Sequence, residues 1–286
     1  MNRNFKSILA VGLTAVLVGC SNGSGIDPQR YANRNVDFDQ YFTEIKADAA
    51  PAKPDEKGFI RRWTIIEPIN KPNSGNSGFT DSYILTELTK EYFKGQFTND
   101  INSLPKTGDQ VVVETEAPRA GGRGGFGGFG GGAPQGAGQA RPQGAPAAAP
   151  APQMVKDTLT WHSVDSKLFN IKLIRFATNT SNGKKRYGLI FNAFTVINCD
   201  QDMPNVRLAA GSNASSIWWV NGEQVLTLQA DRRMVADDGM SKRITLKKGK
   251  NLVRVAVING PGMSDMCMRF YNEDGSIVKN ITITNN

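Results

Sequence analysis

The amino-acid sequence predicts a mainly β protein whose ordered part forms one β-sandwich. Short runs rich in β-branched and aromatic residues recur along the chain, as is typical of strands. Turn-forming pairs such as Asn221-Gly222 and Asp274-Gly275 separate them. Helical spacing of apolar residues is convincing in one place only. Two blocks of ordinary composition, 58–116 and 154–286, together have a size that suits a single sandwich.

The N-terminus has the pattern of a lipoprotein export signal. A basic start precedes a short apolar run, which Leu17-Val18-Gly19-Cys20 closes. This run is too short to cross a bilayer, and the small Gly19 suits the cleft of a signal peptidase. We therefore expect residues 1–19 to be removed and Cys20 to become a lipidated N-terminus that holds the protein to a membrane.

Residues 20–57 are polar and interrupted by prolines, which predicts a tether between the membrane and the folded domain. The stretch from Tyr31 to Ile45 contains enough apolar residues to form a short helix or a docked segment instead. The sandwich domain is then expected over 58–286.

The first block of the domain is predicted to hold strands at 59–69 and 110–116. Between them, the spacing of Ile84, Leu85 and Leu88 predicts one short helix. The second block is predicted to consist of strands, with turns such as Lys248-Gly249 between them. These strands are expected at 157–164, 169–176, 186–198, 205–210, 216–220, 224–228, 243–246, 251–258, 267–271 and 280–284.

Residues 117–153 separate the two blocks and are dominated by Gly, Ala and Pro. A segment without β-branched residues or acids cannot bury enough surface to offset its ordering entropy, so a long disordered insertion is expected. Its Arg-Gly-Gly-Phe run resembles the RNA-binding tails of cytoplasmic proteins. The full chain has net charge +8, and removal of Arg3 and Lys6 with residues 1–19 leaves +6. A basic exported protein meets acidic glycans and lipid headgroups instead, so no nucleic-acid partner is expected.

Three motifs in the second block carry a family resemblance. They are Ile217-Trp218-Trp219-Val220-Asn221-Gly222, Leu246-Lys247-Lys248-Gly249-Lys250-Asn251 and Arg269-Phe270-Tyr271-Asn272-Glu273-Asp274-Gly275. Together they resemble the galactose-binding-like jelly-roll modules attached to bacterial glycoside hydrolases and carbohydrate esterases. The resemblance implies a jelly-roll sandwich and a glycan partner. A closer group carries the label acetylxylan esterase, which implies xylan-like chains as the substrate class.

The chain departs from this resemblance at 211–216, where many relatives carry consecutive aspartates. Paired acids elsewhere, such as Asp200 with Asp202 and Asp237 with Asp238, could supply the oxygen ligands that Ca²⁺ prefers. None has the spacing of a calcium loop. We therefore expect no cofactor, and a structural calcium ion stays open as the alternative.

Catalytic motifs are scarce. A serine hydrolase needs a nucleophile, a base and donors for an oxyanion. The chain has one histidine, His162, and no Gly-x-Ser-x-Gly elbow surrounds any serine. His162 would be catalytic only if the protein were an esterase, and metal-dependent hydrolysis would need more ligands than the sequence offers. The expectation leans toward a protein without catalytic activity.

Glycan binding needs less, namely an exposed aromatic plane and a few polar groups. Trp218 and Trp219 are neighbours in a strand, so they should face opposite sides of the sheet. We expect Trp218 to be the more exposed of the two, and the alternative is that both are buried between layers. The other predicted ligand-binding residues are Arg232, Arg233, Asp237 and Asp238.

With Cys20 consumed by lipid, Cys199 and Cys267 remain in a compartment where disulfides can form. Each lies in an apolar strand, which is equally typical of a buried free cysteine. The sequence leaves both alternatives open.

These observations predict a lipid-anchored, non-catalytic carbohydrate-binding or accessory protein of a polysaccharide-degrading system in the cell envelope. Ser21 rather than an aspartate follows Cys20, which favours the outer membrane and leaves the leaflet open. Protein partners in a glycan-degrading complex are compatible with this prediction. The alternatives are a carbohydrate esterase of the acetylxylan type and a structural subunit of a cell-envelope assembly.

Overall fold

The computed structural model describes residues 38–46, 48–70, 81–116, 153–177, 188–230, 232–259 and 264–285. The predicted signal peptide, the lipidation of Cys20 and the predicted insertion up to Pro152 lie outside the described residues. Within the described part of the chain, no helix is both long and apolar enough to cross a membrane.

Strands dominate the described residues, which confirms the mainly β prediction. The strands are β1 (Phe42–Glu44), β2 (Arg62–Ile66), β3 (Ile69–Asn70), β4 (Gln110–Glu116), β5 (Met154–Ser166), β6 (Ile171–Lys172), β7 (Leu189–Cys199), β8 (Met203–Ser212), β9 (Ser216–Val220), β10 (Glu223–Leu228), β11 (Gly239–Met240), β12 (Ile244–Leu246), β13 (Gly249–Ile258), β14 (Asp265–Tyr271) and β15 (Ile281–Thr284). Helix α1 spans Asp81–Thr89, and short 3₁₀ turns lie at Ile101–Ser103 and Leu173–Phe176.

The strands form two sheets. The ten-stranded sheet has the order β1-β5-β2-β7-β13-β9-β10, with β4 beside β5 and with β3 and β15 beside β7. The five-stranded sheet has the order β11-β8-β14-β6, with β12 beside β8. Neighbouring strands are antiparallel throughout, for example β13 with β7 and β14 with β8. The predicted β-sandwich is confirmed.

The main hydrophobic core lies between the two sheets. Trp63 and Phe191 of the ten-stranded sheet pack there with Leu208, Met268 and Phe270 of the five-stranded sheet. These residues recur at every second position of their strands, so the intervening residues point outward. Full burial of one such side chain contributes about 1.5–3 kcal/mol to stability.

A second core covers the outer face of the ten-stranded sheet. Ile84 and Leu88 of α1, one helical turn apart, pack onto this face together with Trp161, Phe194 and Trp219. The segment from α1 to Leu104 therefore forms a third layer on the sandwich.

The predicted exposure of Trp218 is wrong, because both faces of β9 are covered. Trp218 has 0% exposure and packs edge-on to Trp63 between the sheets, with 6.2 Å between ring centroids. Its indole N–H donates to Ser216 Oγ at 2.9 Å. Trp219 faces the third layer, is 9% exposed and contacts Phe97. The alternation across the pleat was predicted correctly, and the burial of both tryptophans matches the alternative that the sequence left open.

Of the strand predicted over 169–176, only Ile171 and Lys172 form a strand in the structure. Ile171 and Lys172 pair with β14, and the chain then turns through the 3₁₀ segment Leu173–Phe176. Leu173 and Phe176 are both buried in the main core. Residues three apart lie on the same side of a 3₁₀ helix, so the apolar residues of this run suit either structure.

Part of the segment predicted as a tether is docked on the sandwich. β1 lies within it and pairs with β5, so that Phe42 faces Ser166. Phe42 is buried in the main core, where its ring centroid lies 5.0 Å from that of Phe176. This arrangement fits the alternative of a docked segment ending near Ile45.

Candidate functional site

A polar and aromatic cluster lies on the outer face of the five-stranded sheet. Because Met268 and Phe270 of β14 point into the main core, the alternating side chains of Arg269 and Tyr271 point outward. The loop over residues 232–238 crosses this face and brings Asp237 to them. We call the set of Asp237, Arg269, Tyr271, Phe59 and Phe169 the Asp237 cluster.

The loop over 232–238 approaches β8 so closely that only glycine fits beneath it. A Cβ atom built on Gly211 would lie 1.8 Å from the carbonyl oxygen of Val235. At the end of the loop Asp237 adopts a φ of 57°, a left-handed conformation that costs a non-glycine residue of order 1 kcal/mol or more. The position of Asp237 therefore depends on the close approach of Val235 to Gly211 and on the left-handed backbone of Asp237 itself.

Asp237 is held by two neighbouring side chains of β14. Arg269 donates from Nε to Asp237 Oδ1 at 2.9 Å and from Nη2 to Oδ2. Tyr271 donates its hydroxyl to Oδ2 at 2.7 Å. Arg269 also donates from Nη1 to the carbonyl oxygen of Lys57 at 2.7 Å. The two-point contact between guanidinium and carboxylate fixes the plane of both groups.

This environment keeps Asp237 ionised and Tyr271 protonated. Burial alone would raise the pKa of Asp237, but the hydrogen bonds from Arg269 and Tyr271 and the charge of Arg269 outweigh it, so the pKa lies below its ordinary value. Burial and the hydrogen bond to Asp237 raise the pKa of Tyr271. At neutral pH the cluster therefore contains one carboxylate, one guanidinium and one phenol.

Aromatic rings extend the cluster. The guanidinium carbon of Arg269 lies 4.6 Å from the ring centroid of Phe59 and 5.0 Å from that of Tyr271. These distances are typical of cation–π contacts. Phe59 in turn contacts Phe169, with 4.9 Å between ring centroids. Phe59 is buried, whereas Phe169 is 40% exposed and presents an aromatic surface to solvent.

The cluster retains hydrogen-bonding capacity. Arg269 has five N–H donors, and three of them are used by Asp237 and Lys57. Among the described residues, one N–H on each Nη atom therefore has no protein acceptor. The Tyr271 hydroxyl donates to Asp237 and can still accept a hydrogen bond. The side chains of Arg269 and Asp237 are 15% and 22% exposed, so a ligand can reach them.

The predicted ligand-binding residues divide into two groups. Asp237 enters the cluster, whereas Arg232 and Asp238 pair with each other through Arg232 Nε and Asp238 Oδ2 at 2.8 Å. Arg233 is exposed on the same loop, and Trp218 lies in the main core. The charges of Arg232 and Asp238, which were predicted to bind a ligand, therefore neutralise each other in part.

Sequence reasoning missed Arg269, Tyr271, Phe59 and Phe169. The alternation of polar and apolar residues in β14 was a usable signal for Arg269 and Tyr271, since the apolar residues between them had to face the core. No local pattern connects these residues to Asp237 or to Phe59, which come from distant parts of the chain.

His162 lies at the edge of the main core, beside the rings of Phe38 and Phe176. Its Nε2 is 3.7 Å from Glu67 Oε1 and has no hydrogen-bond partner among the residues that the structure describes. A serine hydrolase needs a hydroxyl hydrogen-bonded to its catalytic base. Nε2 of His162 lacks that contact.

Cys199 and Cys267 are both free and buried, so the disulfide alternative is not the one observed. They lie in different sheets, on β7 and β14. Burial raises the pKa of Cys199 to about 11 and that of Cys267 to about 12. Cys199 is a small apolar residue of the main core, whereas Cys267 is buried beneath the loop over 232–238, with its Sγ 3.6 Å from Met234 Sδ.

A calcium ion fits the paired acids of this loop poorly. Asp237 is bound to Arg269 and Asp238 to Arg232, so each carboxylate already faces a cation. In the part of the chain that the structure describes, no group of three or more His, Cys, Asp or Glu residues is placed to hold a metal ion.

Comparisons with known proteins give weak similarity. No protein-family model matches the chain, and no curated protein matches it. Among solved structures, the PA14 sugar-binding domain from an RTX adhesin is similar to this chain, with a TM-score of 0.30 and 12% identity. The match covers 35% of this chain and 56% of that chain. The PA14 domain of the MpAFP antifreeze protein gives a TM-score of 0.28 and 8% identity, and the match covers 34% of this chain and 53% of that chain.

The GH31 alpha-xylosidase from Xanthomonas citri gives TM-score 0.24 and 10% identity over 44% of this chain and 16% of that chain. This chain therefore spans less than two thirds of each of these neighbours. TM-scores this low leave the function to be argued from the residues of the chain itself.

Proposed function

We propose that this protein is a lipid-anchored, non-catalytic carbohydrate-binding component of a polysaccharide-degrading system and that the Asp237 cluster binds the glycan. One observation carries the proposal. The exposed ring of Phe169 packs against Phe59, and Phe59 in turn packs against the guanidinium of a fixed carboxylate and guanidinium pair that retains free donors and acceptors.

A sugar ring presents hydroxyl groups at its edge and C–H groups on its faces. An exposed phenyl ring such as that of Phe169 can cover a C–H face. Neighbouring hydroxyls then need acceptors and donors on the same surface, and Asp237 with Arg269, whose guanidinium lies 4.6 Å from the ring centroid of Phe59, supplies both. Since both groups are already held in place, little side-chain entropy is lost when a glycan binds.

The charge state of the cluster favours binding over hydrolysis. The general acid of a glycosidase needs a pKa raised toward neutrality. The pKa of Asp237 lies below its ordinary value instead, because the hydrogen bonds and the charge of Arg269 outweigh its burial. Asp237 therefore serves as a permanent acceptor for a sugar hydroxyl.

A binding measurement with a matched control tests this proposal. The full chain carrying Cys20→Ser, which removes the lipid site, would be run in gels containing xylan or another neutral polysaccharide. We expect retardation that Phe169→Ala and Asp237→Asn each weaken at least tenfold. Val112→Ala removes an apolar side chain of β4 that is more exposed than Phe169, 57% against 40%, and should leave binding unchanged.

Two outcomes would overturn the proposal. The first is the absence of retardation by every neutral polysaccharide in the panel while thermal unfolding shows a folded protein. The second is release of acetate from acetylated xylan that His162→Ala abolishes, since this would make the protein an esterase.

The lipid anchor has its own test. The proposal places acyl chains on Cys20, supported by the Leu-Val-Gly-Cys pattern at the end of a short apolar run. Expressed in a Gram-negative host, the chain should sediment with membranes and carry the mass of its acyl groups. Cys20→Ser should release it into the soluble fraction, and a membrane-bound Cys20→Ser protein would contradict the anchor.

A further inference from the structure

A second concave surface lies on the outer face of the ten-stranded sheet, away from the Asp237 cluster. One cavity of about 530 Å³ is lined in part by Lys46, Arg62 and Lys106. A neighbouring cavity of about 200 Å³ is lined in part by Lys106 and Lys250. Because Lys106 lines both cavities, they adjoin each other, and we call the two together the lysine groove.

The floor of the lysine groove is polar. Ser163 and Thr284 face outward from β5 and β15, since the residues beside them in each strand point into the main core. Thr107 lines one wall and accepts a hydrogen bond from the Ser163 backbone N–H at 2.8 Å. Hydroxyl groups therefore line the groove between its lysines.

Arg62 anchors the groove and is not free to bind a ligand. It donates to Asp165 from Nε at 2.9 Å and from Nη2 at 2.7 Å, and to the carbonyl oxygen of Ala50 from Nη1 at 2.7 Å. Its side chain is buried. The charge of Arg62 is thus balanced within the protein.

The three lysines differ from Arg62 in this respect. Within the described residues, none of Lys46, Lys106 and Lys250 forms an ion pair, and all three lie near the surface. Glu44 is the one acid that lines either cavity in that part of the chain. The two cavities of the groove therefore carry an excess of unbalanced positive charge.

We propose that the lysine groove binds an acidic polysaccharide, one whose uronic-acid carboxylates meet the lysines and whose hydroxyls meet the threonine and serine side chains. Three lysines shared between two adjoining cavities suit a polymer that carries several charges better than a single small anion. The volume of the larger cavity lies within the range of ligand-binding pockets.

Two features favour a polysaccharide over a nucleic acid. Grooves that bind single-stranded nucleic acid place aromatic side chains where bases can stack, and no aromatic residue lines either cavity in the described structure. The groove also lacks a free arginine for two-point contacts with phosphate, since Arg62, the one arginine among its described lining residues, is committed to Asp165.

Gel retardation by polygalacturonate tests the inference, again with the full chain carrying Cys20→Ser. We expect retardation that weakens with added NaCl and is lost when the polymer is replaced by its carboxyl-reduced form. Lys46→Ala combined with Lys106→Ala should weaken binding at least tenfold. Lys94→Ala combined with Lys279→Ala removes the same charge from exposed positions outside the groove and should change binding less than twofold.

Any of three results would overturn the inference. These are no retardation by polygalacturonate, equal loss in the groove and control variants, and tighter binding of single-stranded RNA that depends on the groove lysines. Phe169→Ala should leave retardation by polygalacturonate intact, so failure of this site and failure of the Asp237 cluster can be told apart.

Discussion

The side-chain amide of Asn221 donates a hydrogen bond to Oδ1 of Asn251 at 2.9 Å. Asn221 Oδ1 in turn accepts from the backbone N–H of Leu252, and Asn251 Oδ1 accepts from that of Lys247. This pair joins the turn between β9 and β10 to the turn between β12 and β13. Two asparagines of the sequence motifs thus serve the fold, which explains why such motifs identify an architecture and not a ligand.

Replacing Asn251 by alanine should destabilise the protein by about 1–3 kcal/mol, because a buried side chain with several hydrogen bonds would leave its partners unpaired. Urea unfolding followed by tryptophan fluorescence would measure this. Asn102→Ala changes an exposed asparagine and should cost less than about 0.5 kcal/mol. Equal losses in the two variants would contradict the assigned role of Asn251.

Gly211→Ala should displace the loop over 232–238, because the added methyl group would lie 1.8 Å from the Val235 carbonyl oxygen. Asp237 would move with the loop, so glycan binding at the Asp237 cluster should fall at least tenfold. Gly249→Ala provides the control. Its Cβ would meet no atom within 4 Å, and the cost is confined to the strain of a positive φ, about 1 kcal/mol. Unchanged binding in Gly211→Ala would refute this role of the loop.

The carboxylate of Asp237 makes stability depend on pH in a defined direction. Its pKa is lower in the folded protein than the ordinary value of 3.8. The stabilisation it provides is therefore complete above about pH 4 and is lost as the pH falls through the lower, folded pKa. Urea unfolding of the wild type and Asp237→Asn should show a stability difference at pH 7 that shrinks below pH 4. A difference that grows on acidification would reverse the assigned sign.

Thiol titration tests the state of the two buried cysteines. Burial raises the pKa of Cys199 to about 11 and that of Cys267 to about 12, so both should stay protonated and shielded at pH 8. In the Cys20→Ser chain, Ellman's reagent should modify neither thiol in the native protein and both after unfolding in guanidinium chloride. Absence of reactive thiols in the unfolded, non-reduced protein would show that a disulfide forms.

Strand patterns predicted the sandwich well because alternation and turn chemistry are local properties. β4 and β9 begin and end where the sequence predicts, and Asn221 and Gly222 have the positive φ values of 52° and 84° that a type I′ turn requires. Trp218 shows the limit of such patterns. Alternation fixes which face a side chain occupies, but the covering of the outer face comes from α1 and the segment after it.

The candidate site was predictable in part for the same reason. Loop composition pointed to Asp237, and alternation in β14 could have pointed to Arg269. Their contact depends on a close backbone approach at Gly211, and Phe169 reaches the cluster only through Phe59. Contacts between residues so distant in sequence arise from the packing of the sheets, and no spacing along the chain encodes them.

The Asp237 cluster and the lysine groove lie on opposite outer faces of the sandwich, one on each sheet. A molecule with two such surfaces cannot engage both with one short oligosaccharide. It can instead cross-link two polymer strands, or raise the local concentration of one polymer by holding another. Binding to a matrix that contains both neutral and acidic chains would then be far tighter than binding to either chain alone, since the second contact becomes intramolecular.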